Sequence, residues 1–116
     1  MKYAVLIYDR EGLFESLSER EQERLLGDYL ALTTAPGVVA SACLQPAGSA
    51  TTVRVQEGRP LLADGPFAET KEVFGGLYVL EADDPAQAIE FASRVPAARM
   101  GGSVELRPLR HLRGDE

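Results

Sequence analysis

Apolar and polar positions alternate at two periods along the chain. From Lys2 to Tyr8, Tyr3, Val5 and Ile7 alternate with Ala4, Leu6 and Tyr8, which predicts a strand apolar on both faces. The stretch Glu72 to Ala82 reads the same way. It sets Val73, Gly75, Leu77 and Val79 on one face and Phe74, Gly76, Tyr78 and Leu80 on the other. Gly75-Gly76 inside it predicts a bulge or a close backbone approach. Val38 to Leu44, built of small residues, and Ser103 to Leu109, terminated by Pro108, read as further strands. Thr51 to Gln56 alternates Val53 and Val55 with Thr52, Arg54 and Gln56; Glu57-Gly58 then turns a hairpin back through Arg59 to Ala63. Pro60 keeps the return strand at an edge, because proline has no amide proton for a ladder.

The helical period enters twice. Ser18 with Glu21 forms a capping box that opens a long helix, stopped by Pro36-Gly37. Leu25, Tyr29 and Leu32, with Leu26 and Leu30, form its apolar stripe, and Gly27 interrupts it at a cost of about 1 kcal/mol relative to alanine. Asp84-Pro85 with Gln87 starts a second helix by the same capping logic. Ala88, Ile89, Ala92 and Val95 form its buried stripe, with Phe91 on a flank, and Pro96 ends it. Asp9-Arg10-Glu11-Gly12 reads as a polar turn, with Leu13-Phe14 a short apolar patch on the core rim.

The order is strand, helix, strand, hairpin insert, strand, helix, strand. Without the insert this is the split β-α-β pattern of a ferredoxin-like α+β protomer. That topology puts the first and third main strands in the middle, which are the two strands apolar on both faces. Two helices cover one face of a four-stranded sheet. A second copy, related by two-fold symmetry, is expected against the other face, giving a dimeric α/β barrel.

At 116 residues with one cysteine, the chain is expected to be a single domain with no internal disulfide. Cys43, in an apolar strand pattern, reads as an inert buried thiol. A net charge of −6 argues against nucleic-acid and anionic-membrane binding. Arg107, Arg110, His111 and Arg113 form a local basic cluster, read as a solvated tail or a contact for an acidic partner. With no signal pattern or spanning apolar run, a cytoplasmic location is expected. No phosphate loop, paired Cys/His spacing or nucleophile elbow is present, and no cofactor is expected.

The turn before the long central strand is the densest in special residues. Gly65, preceding Pro66, is expected to be extended and to cap a helical turn over Pro66 to Thr70, with Asp64 accepting from its free amides. Asp64-Gly65-Pro66-Phe67 followed by Ala68-Glu69-Thr70-Lys71-Glu72 resembles the signature of the DGPF branch of the YCII-related family. Leu44-Gln45-Pro46, Ala50-Thr51-Thr52-Val53-Arg54, Pro96-Ala97-Ala98-Arg99 and Ser103-Val104-Glu105-Leu106-Arg107-Pro108 extend the resemblance from about Lys2 to Leu109. It implies the same ferredoxin-like protomer in a dimeric barrel. It also implies a small-molecule site with acid–base chemistry of lyase or isomerase type, or a non-catalytic partnership with an extracytoplasmic-function sigma factor.

In the wider family, the resemblance implies, a histidine and an aspartate share a cleft. Asp64 corresponds to the aspartate, but no histidine stands near the first strand or first helix, and the lone His111 lies in the tail. Asp64 is thus read either as a structural cap or as the candidate catalytic residue. Tyr8, Phe67, Phe74 and Tyr78 are the candidate walls of a cleft suited to a small aromatic or acidic ligand. Glu69, Lys71 and Arg99 are candidate polar contacts, each with an alternative reading as a solvated side chain, a salt bridge or a carbonyl cap.

Overall fold

The computed structural model describes residues 1–66 and 71–111. Six strands, β1 (Lys2–Arg10), β2 (Val38–Cys43), β3 (Thr51–Gln56), β4 (Arg59–Asp64), β5 (Glu72–Glu81) and β6 (Ser103–Pro108), combine with helices α1 (Leu13–Ser16), α2 (Glu19–Leu32) and α3 (Pro85–Ser93). The main sheet is antiparallel at every pairing, in the order β2-β5-β1-β6, and β3-β4 stands apart as a two-stranded hairpin. The two strands apolar on both faces are therefore the central pair, as expected.

Register assigns the faces. Val5 lies opposite Tyr78 and Tyr3 opposite Leu80, and all four are buried beneath the helices with Ile7, Phe91 and Val95. Leu6 lies opposite Leu77 and Ala4 opposite Val79; these four share the other face and are only half-buried. The Gly75-Gly76 pair is the site of a bulge. Ile7 pairs with Gly76 and Tyr8 with Phe74, so Gly75 has no counterpart in β1. The extra residue reverses the alternation. Phe74 consequently joins Tyr8 on the open face instead of sharing the Tyr78 face, as strict period-two reading assigned it.

The caps hold. The Ser18 hydroxyl accepts from the Glu21 amide at 3.2 Å while the Glu21 carboxylate accepts from the Ser18 amide at 2.9 Å. Asp84 accepts from the Gln87 amide at 2.8 Å. Helix α2 stops at Leu32, four residues before Pro36-Gly37, and the Thr33 and Thr34 hydroxyls donate back to the Leu30 and Ala31 carbonyls. Ile89, expected in the α3 stripe, is 59% exposed; Phe91 takes the buried place and stacks edge-on to Tyr78 at 5.4 Å. β1 continues through Asp9 and Arg10, so the expected polar turn shrinks to Glu11-Gly12, with Gly12 at φ +79. Cys43 is exposed on edge strand β2, not buried. Gly65 is not extended: its φ is +90, its amide donates to the Ala50 carbonyl at 2.6 Å, and Asp64 pairs with Thr51 as the last residue of β4. The helical turn expected beyond Pro66 lies outside the described residues.

The molecule is flat, with principal extents of 46 × 45 × 19 Å. Its radius of gyration is 16.1 Å, against about 13 Å for a compact domain of this length. Its accessible surface is 8431 Å², against roughly 6,200 Å² for a compact monomer of this mass. No helix among the described residues is long and apolar enough to cross a membrane.

Candidate functional site

Two cavities open on opposite faces of the sheet. The first, about 420 Å³, lies under α2, between it and the ends of β1, β2 and β5. Its origin is legible residue by residue. Ser41, Cys43, Gly75 and Gly76 give this part of the sheet a floor of small residues, and Leu25 and Tyr29 of α2 bridge it without filling it. Leu26 and Leu30, both exposed, line the cavity with Phe14 of α1.

Two acidic residues, Asp9 and Glu15, line this mostly apolar space, and Asp9 comes from the central strand β1. Asp9 continues the buried phase of β1 after Tyr3, Val5 and Ile7, and so points under α2. The absent side chain of Gly75 makes room for it; a Cβ there would stand 2.1 Å from Asp9 Oδ2. Half-burial pushes the Asp9 carboxyl above its ordinary value, partly offset by a long hydrogen bond of 3.4 Å from the Tyr29 hydroxyl. Tyr29 Oη also accepts from the Ala97 amide at 3.1 Å, and the Tyr78 hydroxyl donates to the Tyr29 carbonyl at 2.7 Å. Burial, then the Asp9 charge, raises the Tyr29 phenol strongly; burial, then the neighbouring Cys43 thiol, pushes Tyr78 up to about 12. Both phenols are therefore donors at neutral pH. The arrangement offers a half-buried base or acceptor, flanked by a phenol donor, in a mostly apolar cavity whose lining also includes Arg10, Glu15, Thr33 and Ser41. Asp9 was hidden in a presumed turn and Tyr29 in a helical stripe. The signal for Asp9 was its phase: a carboxylate at the fourth position of a buried strand face.

The second cavity, about 470 Å³, lies on the open face at the base of the hairpin. Tyr8 and Phe74, with ring centroids 5.5 Å apart, form one wall; Gln45, Ser49, Pro66 and Glu72 form others. Of the expected walls, Tyr8 and Phe74 lie together in this cavity, with Pro66 also lining it, and Tyr78 lies across the sheet from them. Phe67 and Glu69 lie outside the described residues. Asp64 is exposed at the end of β4 and is not among the residues lining either cavity. Lys71 is exposed, and its carbonyl accepts from the Glu11 amide at 2.8 Å. Arg99 realises both of its structural readings, pairing with Asp28 at 3.8 Å and donating to the Arg94 carbonyl at 3.4 Å. Among the described residues no three His, Cys, Asp or Glu side chains converge as metal ligands do.

The comparisons agree with the sequence resemblance at the level of the family. A relative from Rhizobium meliloti (strain 1021), described as an uncharacterized protein, is 37% identical over 114 residues, covering 94% of this chain and 92% of its own. The family model for the YCII-related domain matches residues 1–113. The chain therefore belongs to the YCII-related domain family.

Proposed function

We propose that this chain is a homodimeric small-molecule-binding domain of the DGPF branch, with a ferredoxin-like protomer, and that its ligand sits under α2 against Asp9. The observation that carries the reading is the Asp9 carboxyl itself. It is half-buried, raised in pKa and met by one phenol, at the wall of a 420 Å³ mostly apolar cavity. Such a cavity suits a compact, mostly apolar molecule carrying one hydroxyl or amine that donates to the carboxylate. A carboxylate with a raised pKa is also the better general base, and weak proton transfer of lyase or isomerase type would use Asp9, not a histidine, as the base. Dimerisation is supported by the open sheet face, where Ala4, Leu6, Leu77 and Val79 lie on the side away from the helices.

The test is a thermal-shift screen of small alcohols, phenols and amines. Compounds that raise the melting temperature of the wild type should lose that effect with Asp9→Asn and keep it with Asp64→Asn. Stabilisation that survives Asp9→Asn moves the site elsewhere.

A further inference from the structure

The β3-β4 hairpin carries an apolar face that the described residues of its own chain leave largely uncovered. Its register sets Val53 opposite Leu62 and Val55 opposite Pro60, so these four share one face. Thr52, Arg54, Gln56, Arg59 and Ala63 lie on the other, with Leu61. The apolar face is bare: Val53 is 58% exposed, and Val55 and Leu62 are each 70% exposed. Eleven of the hairpin's twelve strand residues are exposed. Among the described residues its strands pair only with each other. Its base is tied by the Gly65 amide to the Ala50 carbonyl and by the Thr52 hydroxyl to the Gly65 carbonyl at 2.9 Å. An isolated two-stranded hairpin is marginal in water, and an amphipathic one wants a partner surface.

The size of the unburied surface points to what that partner is. The chain exposes about 2,200 Å² more than a compact monomer of its mass. A stable interface takes about 800 Å² from each partner. The hairpin springs from the same end of the sheet as the open-face pair Tyr8 and Phe74, so its base is continuous with that face.

We infer that the β3-β4 hairpin is a clasping arm, whose Val53, Val55, Pro60 and Leu62 face packs on a second copy of this chain across the two-fold axis. The inference rests on the dimer proposed above and adds the surface that holds it. Two reciprocal arms bury the apolar faces of both hairpins, and each closes over the partner beside the Tyr8–Phe74 cavity.

The experiment combines light scattering over a dilution series with amide hydrogen exchange, on the full chain. Val55→Glu and Leu62→Glu should each weaken dimerisation at least tenfold, whereas Gln56→Glu, on the polar face of the same arm, should leave it unchanged. In the wild type the amides of β3 and β4 should exchange slowly at high concentration and quickly once diluted to monomer. A wild-type dimer whose dissociation is unmoved by both glutamate variants, with hairpin amides exchanging at unprotected rates throughout, overturns the arm and leaves the dimer standing. A wild type monomeric at micromolar concentration overturns both. The Asp9 thermal shifts, read separately, are indifferent to either outcome.

Discussion

At the scale of single residues, Asp9 concentrates the chemistry. Its folded-state pKa lies above its ordinary value of 3.8, with desolvation the main cause. A raised pKa means that the folded protein favours the protonated form. The stability this group contributes is therefore full below about pH 3.8 and is lost as pH rises through the folded value. Asp9→Asn, which is neutral throughout, should be more stable than the wild type at pH 7 in the absence of ligand. The gap should close as pH is lowered toward 4. Melting curves across that range check it, and a gap that widens in acid contradicts the desolvated placement. Gain of stability with loss of binding is the usual trade at a functional carboxylate. The residue was legible in the sequence only through phase. Asp9 falls on the same alternate positions as Tyr3, Val5 and Ile7, yet its neighbours Arg10, Glu11 and Gly12 look like a turn, and that composition masked the strand. Asp64, which a conspicuous motif singles out, stands exposed at the end of a hairpin strand.

At the scale of elements, caps and strands were readable because their causes are local. The Ser18 and Asp84 caps each need only residues within three positions, and both form as their spacing requires. What strict alternation could not supply is parity across a bulge. The Gly75-Gly76 pair announces an irregularity, but not which residue is extra, and that choice decides whether Phe74 shares a face with Tyr8 or with Tyr78. The same glycine links the bulge to the site. Gly75→Ala drives a methyl into the Asp9 carboxyl, so it should cost about 1–3 kcal/mol. In an Asp9→Ala background most of that cost should vanish; a double-mutant cycle in denaturant that yields purely additive effects rejects the contact. Helix α2 offers a contrasting case. Gly27 looked as if close packing could require it, yet a Cβ there meets nothing within 4 Å. Gly27→Ala should stabilise the protein by about 1 kcal/mol by helix propensity alone, and chemical denaturation reads this directly.

At the scale of the whole molecule, the split β-α-β pattern places the first and third main strands in the middle of the sheet, and β1 and β5, the two strands apolar on both faces, are found there. The standing-off of the hairpin was not legible, because the alternation of Thr51 to Gln56 is the same whether its apolar face meets its own core or another chain. That ambiguity becomes a measurable property of the folded state. If native protein is dimeric and unfolded protein monomeric, folding and association are one equilibrium, and stability depends on concentration. Each tenfold rise in protein concentration then adds about 1.4 kcal/mol per dimer and should raise the melting temperature by about 3 °C. A monomer that merely happens to be flat gives a melting temperature independent of concentration. Scanning calorimetry or fluorescence melts from one to one hundred micromolar separate the two. The slope belongs to the dimer as a whole, so it should persist in Asp9→Asn, whose effect is confined to the cavity under α2, and should flatten in Val55→Glu if the arms help to hold the copies together.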